Sequence, residues 1–150
     1  MANDAHNLLQ CDSGDRVDLY NGMISFTFSH VDRPKPSNSQ KIARIEDLQL
    51  EAECGYSLQI FDLIDAGRAI PKIYKVLLNE GGGWIDSRTR KAPNRLDFLS
   101  VLAHLRTIKI RGSFYKGAET VRLQSFRIEE PRPGSLKGSQ LFPCCSTTRQ

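Results

Sequence analysis

Arg88, Arg90, Lys91 and Arg95 place four cations within eight residues, and Arg106, Lys109, Arg111 and Lys116 follow them closely. Guanidinium and ammonium groups at that density hold sulfate or phosphate esters through charge-assisted hydrogen bonds, with an affinity that falls as salt rises. The first four are therefore the candidate polyanion-binding set, and a sulfated polysaccharide is the ligand that matches them. A plainer reading competes with this, because charge along exposed strand edges also serves to block sheet-to-sheet aggregation. The second candidate chemistry is sugar stacking on an aromatic face, for which Trp84, the chain's single tryptophan, and Tyr74 are the nearest residues. The alternative for Trp84 is packing at the core edge, with Gly81, Gly82 and Gly83 as the loop that delivers it.

Catalytic and metal chemistry find no support. His6, His30 and His104 are dispersed, and none has a second histidine or an acid at a zinc-binding spacing. His104 reads as a helix-surface residue. Glu51 with Glu53, and Glu129 with Glu130, are paired carboxylates, but strand alternation puts the first pair on a solvated face and the second lies at a strand end. There is no GxSxG nucleophile elbow, and the triple glycine is followed by Trp84 rather than by the lysine and hydroxyl residue of a phosphate loop. No catalytic, cofactor-binding or metal-binding residue is expected, and the chain reads as a non-enzyme. Cys11, Cys54, Cys144 and Cys145 are too few and too irregular for a disulfide framework; Cys54 reads as a small buried side chain, and the other pair lies in a polar tail.

Composition narrows the class further. The 150 residues are 39% hydrophobic and 25% charged, enough apolar material for one domain with a real core. A net charge of +4 is well short of the dense basic stripe of a nucleic-acid binder, so no nucleic-acid partner is expected. No apolar run approaches the roughly 18 residues that span a bilayer, so membrane insertion is not expected either. The start MANDAHNLLQ has neither a basic opening nor an apolar core of the secretory type. On this reading the chain is either a piece of a longer protein or an intracellular product.

These candidate residues need a scaffold, and the hydrophobic pattern indicates a β-rich one. Ile24, Phe26 and Phe28 alternate with Ser25 and Thr27, and Leu48, Leu50 and Ala52 alternate with Gln49, Glu51 and Glu53, the period of a strand with one buried face. Leu58 with Ile60, and Tyr74, Val76 and Leu78, continue the pattern, and successive short strands of this kind argue for a sandwich. One helix is expected near residues 95–105. Asn94 can cap its first turn with Asp97 in answer, and Phe98, Val101, Leu102 and Leu105 form one apolar face. Ile108 and Ile110 then begin a strand, Val121 and Leu123 open its return, and Phe126 and Ile128 stand one residue out of phase. A β-bulge at Gln124 or Ser125 would return both pairs to the core side. Residues 1–16 read as a disordered or atypical arm, 17–132 as the folded body, 133–150 as a flexible polar tail, and Pro34 to Gln40 as an exposed connection.

The run Leu96-Asp97-Phe98-Leu99-Ser100-Val101-Leu102-Ala103-His104-Leu105, followed by Ile108 to Ser113, resembles the helix-to-strand portion of the laminin B domain, also called laminin domain IV type A. Leu19 to Phe26, Ile45 to Leu58, and Leu78, Glu80 and Trp84 extend the resemblance over about residues 17 to 131. The chain departs from the family in three places. The leading aromatic-Pro segment is not seen before Val17, Leu123-Gln124-Ser125-Phe126 stands where acids are usual, and EGF-like cysteine repeats do not flank the body.

The resemblance implies an antiparallel jelly-roll-type β-sandwich with no catalytic role. It also implies a secreted structural or adhesion module of the extracellular matrix and basement membrane, as in laminin short arms and perlecan, with matrix proteins or sulfated polysaccharide as partners. The alternatives are a carbohydrate-binding jelly roll using Trp84 and Tyr74, and a truncated intracellular product without a matrix role. Oligomeric state stays open.

Overall fold

The computed structural model describes residues 16–32, 41–42, 45–53 and 55–131. The expectations for the N-terminal arm, the polar tail, the Pro34 to Gln40 connection and all four cysteines fall outside those residues. Within them, seven strands and one α-helix follow in the order β1 (Met23–Asp32), β2 (Leu48–Ala52), β3 (Ser57–Ile60), β4 (Lys72–Leu77), β5 (Ile85–Asp86), α1 (Arg95–Ala103), β6 (Leu105–Ile110) and β7 (Thr120–Glu129). A single 3-10 turn at Val17–Leu19 precedes them.

The strands form two antiparallel sheets, ordered β4-β1-β7 and β5-β3-β2-β6. The expected sandwich and the alternation behind it are both present. Ile24, Phe26 and Phe28 from one sheet, and Leu48, Leu50, Ala52 and Leu58 from the other, are buried between them with Tyr74, Val76 and Leu78. On the opposite side of the second sheet Gln59 donates to Gln49 across β2 and β3 at 2.9 Å, a polar cross-strand pair in which Gln49 itself is buried.

The phase slip in β7 is a bulge, as expected. Thr27 pairs with Gln124 and Ser25 with Arg127, so Ser125 and Phe126 together oppose Phe26, and Ser125 takes a φ of 54°. The bulge lays Phe126 over Phe26 with ring centroids 6.4 Å apart. Leu123 and Phe126 nevertheless stay 45% and 39% exposed, because β7 lies at the edge of its sheet.

The helix begins as its cap predicts, with Asn94 Oδ1 accepting the Asp97 amide at 2.7 Å. It differs from a one-faced surface helix. Phe98, Leu99, Ser100, Val101, Leu102 and Ala103 are all buried, since the 3-10 turn packs on the helix in addition to β2 and β3, with the Arg16 amide donating to the Leu102 carbonyl at 3.0 Å. The helix also stops at Ala103. Leu105 belongs to β6, and His104, expected on the surface, is buried at the C-cap, where its amide bonds the Ser100 and Val101 carbonyls and its carbonyl accepts the Glu53 amide at 3.1 Å. Pairing of β6 with β2 pulls the chain out of the helix at that point. Leu102 is fully buried between these layers, so Leu102→Ala lowers unfolding free energy by roughly 2 to 5 kcal/mol in denaturant melts. A loss below about 1 kcal/mol would show that this side of the helix is not packed as described.

Candidate ligand-binding surface

The candidate residues gather around the connection between β4 and α1. Asn79 to Gly83 form the turn after β4, Trp84 leads into β5, and a turn over residues 86–91 returns the chain to the helix. In that turn the Arg90 amide donates to the Asp86 carbonyl and the Asp86 amide to the Lys91 carbonyl, both at 2.8 Å, with Arg90 at a φ of 65°. The turn therefore holds Arg90 and Lys91 out from the body, and both are exposed, as is Arg95 in the first turn of α1.

Arg88 behaves differently from the other three cations. Its guanidinium carbon lies 3.6 Å from the centre of the Tyr56 ring, and its Nη2 is 3.4 Å from Asp86 Oδ2 and 3.7 Å from Asp97 Oδ1. Asp86 is buried at 1% exposure, accepts the Arg88 amide at 2.8 Å and accepts the Tyr56 hydroxyl at 2.9 Å. Burial opposes the charge on Arg88, but the hydrogen bond to Asp86 and the surrounding charge of Tyr56, Asp86 and Asp97 outweigh it and raise its pKa. Burial, followed by the bond to Asp86, pushes the Tyr56 phenol up as well. Arg88 is thus a clamp between β3, β5 and the start of α1, with its side chain only 27% exposed, and is committed to the scaffold. Of the four candidate cations, Arg90, Lys91 and Arg95 are presented to solvent.

The second group of cations divides in the same way. Arg106 and Lys116 are exposed, and Lys109 pairs with Glu51 across the sheet at 3.5 Å. Arg111 is a buried strut whose side chain is 7% exposed. It reaches Asp47 at 3.4 Å, donates to the Ser113 carbonyl at 2.7 Å and lies 4.5 Å from the centre of the Phe114 ring.

The stacking reading is overturned at both positions. Trp84 is 1% exposed, with its Nε1 donating to the Leu77 carbonyl at 2.8 Å and its ring edge-on to Phe98 at 6.0 Å. Gly82 permits this seat, since a Cβ there would overlap the Leu77 carbonyl oxygen. Tyr74 is 5% exposed, stacks on Phe26 at 5.5 Å and accepts the Asp65 amide through its hydroxyl at 2.9 Å. A sugar ring needs an open aromatic face, and neither residue offers one. Their places on the inner parity of β4 and at the β4-to-β5 edge are what bury them. Tyr20 is held similarly: its hydroxyl donates to Glu80, Arg95 lies 5.4 Å from its ring centre, and burial followed by the Glu80 bond takes its phenol up to about 12.

A polar cluster that sequence reasoning missed lies at the other end of the sandwich. Glu119 Oε2 accepts the Phe114 and Tyr115 amides, each at 2.9 Å, and the Ser113 hydroxyl at 3.1 Å, while Oε1 meets His30 Nε2 at 2.8 Å. His30 Nδ1 accepts the Gly67 amide at 2.8 Å, so Nε2 carries the proton and donates to Glu119. The one available signal was parity, because His30 continues the buried Ile24, Phe26, Phe28 series. Among the described residues no group of three or more His, Cys, Asp or Glu side chains is arranged to hold a metal ion, and no helix is long and apolar enough to cross a membrane.

Residues 13–141 match the family model described as Laminin B (Domain IV). The chain belongs to that family. Laminin B domains are structural, non-enzymatic modules, and the match begins four residues before and ends ten residues after the 17–131 span over which the motifs are legible. The solved L4b domain of human laminin alpha-2 has the same fold, with a TM-score of 0.60 at 13% sequence identity over 79% of this chain. The chain spans 65% of that structure's length. A comparison with curated proteins finds no match. In this Laminin B domain the helix-to-strand portion carrying the clearest motifs is also the part whose side chains are most completely buried, from Phe98 to His104.

Proposed function

We propose that this Laminin B domain serves as a non-catalytic structural and adhesion module of a secreted extracellular-matrix protein of basement-membrane type. Its surface contacts matrix proteins and, through Arg90, Lys91 and Arg95, sulfated polysaccharide. The observation that carries the matrix assignment is the family match over residues 13–141. The polysaccharide contact is supported by the turn that projects Arg90 and Lys91 beside the exposed Arg95, with Arg88 and Asp86 bracing it from below.

Heparin chromatography tests the second part. The triple variant Arg90→Ser, Lys91→Ser, Arg95→Ser leaves a heparin column at clearly lower salt than the parent, with an unchanged thermal melt, because exposed cations act through salt-screened attraction. Equal elution of the two proteins would remove these residues from any polyanion contact. The matrix assignment is tested separately, by whether a tagged product is recovered from the deposited matrix of expressing cells.

A further inference from the structure

The two long sides of the sandwich are finished differently. Between β4 and β5, Trp84 and Leu78 close the side and both are buried. Between β6 and β7, Ile108, Ile110, Val121 and Ile128 are only half-buried and Leu123 and Phe126 stand exposed. Among the described residues β7 pairs with β1 alone, so one backbone edge of a ten-residue strand is unpaired beside an apolar seam. Such an edge is a template for another strand.

We propose that β7 pairs antiparallel with β7 of a second copy, about a two-fold axis through the bulge at Ser125 and Phe126. The bulge sets the pattern that makes this pairing self-complementary. Val121 and Leu123 before it, and Phe126 and Ile128 after it, lie on the inner face opposite His30, Phe28, Phe26 and Ile24. Arg122, Gln124, Arg127 and Glu129 lie on the outer face, opposite Ser29, Thr27, Ser25 and Met23. An isologous antiparallel pairing must match inner with inner and outer with outer. Centred on the bulge, it sets Arg122 against Glu129 of the partner subunit and Leu123 against Ile128 of the partner subunit, each twice. Moving the register by the smallest step in one direction sets Arg122 against Arg127 of the partner subunit. The same step in the other direction sets Arg127, on the outer face, against the inner-face Phe126 of the partner subunit. Like charges directly opposite are unfavourable, and so is an outer residue set against an inner one, so charge and face together select the central register. In that register the three-stranded sheets join into one of six strands, and the two seams cover each other. Glu129 is free to respond, since its contact with Arg127 on the same strand is long, at 4.0 Å, and exposed on both sides.

Sedimentation equilibrium of the full chain, over micromolar to several hundred micromolar concentrations, tests the pairing. The parent shows a monomer–dimer equilibrium. Arg122→Glu alone, or Glu129→Arg alone, weakens it by about tenfold or more, because two attractive cross-strand pairs become two repulsive ones. The double variant Arg122→Glu, Glu129→Arg restores the dimer to within about threefold of the parent, as reversal of both charges recreates the pairs. All four proteins keep the same monomer melting temperature, since both side chains are exposed. A parent that stays monomeric throughout would overturn the proposal, including the case in which β7 amides are already protected from exchange by another part of the chain. Dimerisation indifferent to either single variant, or not rescued by the double one, would place association elsewhere and overturn it equally.

Discussion

Glu119→Ala lowers the stability of the domain by roughly 3 to 5 kcal/mol, the loss expected when one partner of a buried, charge-assisted network is removed. The carboxylate collects donors from three separated stretches of chain: the Ser113 to Tyr115 loop, the central strand through His30 and, through His30 Nδ1, the Gly67 turn. Alanine leaves the Phe114 and Tyr115 amides and the imidazole Nε2–H without their acceptor where water has little access, with Glu119 6% and His30 2% exposed at the side chain. The effect also depends on pH. Burial by itself would push the Glu119 carboxyl up, but the Tyr115 amide, then His30, the Phe114 amide and Ser113, outweigh it and hold the carboxyl below its ordinary value. A carboxyl depressed in the folded state contributes its stability above its ordinary unfolded value of 4.5, and that contribution is lost as pH falls through the lower folded value. Guanidinium melts of parent and variant therefore differ most near neutrality and converge on acidification. A difference that stayed constant into strong acid would mean that the charge on Glu119 contributes nothing and that packing alone explains the loss.

Trp84→Ala is the second large effect, at about 3 to 5 kcal/mol. The indole fills the side of the sandwich between β4 and β5, touches Phe98 edge-on and satisfies the Leu77 carbonyl, so truncation opens a cavity and also removes a hydrogen bond. Trp84→Phe restores most of the volume without the N–H and recovers all but about 1 to 2 kcal/mol, which separates the two contributions. Unfolding followed by far-ultraviolet circular dichroism measures all three proteins on one signal. A cost for alanine under about 1.5 kcal/mol would contradict the buried seat. The same seat makes the indole a sealed reporter: its emission does not respond to added sugars, and it shifts only when the domain opens.

The alternation of Ile24, Phe26 and Phe28, the Asn94 cap and the phase slip after Leu123 were legible because each is a local pattern of spacing that a strand, a helix end or a bulge must show. Other features depend on which distant segment arrives to cover a residue. Arg88 looked like one of four equivalent cations until Tyr56, thirty-two positions upstream, supplied the ring beneath it. For Trp84 the sequence offers core-edge packing beside sugar stacking, and Tyr74 falls in the alternating strand pattern; the arrival of Phe98 and Phe26 against them decides for packing. His104 and Leu105 were assigned to a helix face by a periodicity that the pairing of β6 with β2 overrides at the helix end. The His30–Glu119 contact joins positions eighty-nine residues apart and left no mark beyond the inner parity of His30.

The place of β1 between β4 and β7 has a consequence for the protein's biosynthesis. Met23 at one end of β1 pairs with Leu77 on one side and with Glu129 on the other, so among the described strands the first to be made receives its second neighbour last. At roughly 5 to 20 residues per second, the interval between synthesis of Leu77 and of Glu129 lasts several seconds. Until it ends, β1 has no β7 to pair with, and Ile24, Phe26 and Phe28 lack that flank of their sheet. Pairing on that side of β1 waits until β7 has cleared the ribosome, and for the whole interval an apolar strand edge is open to any other chain that reaches it.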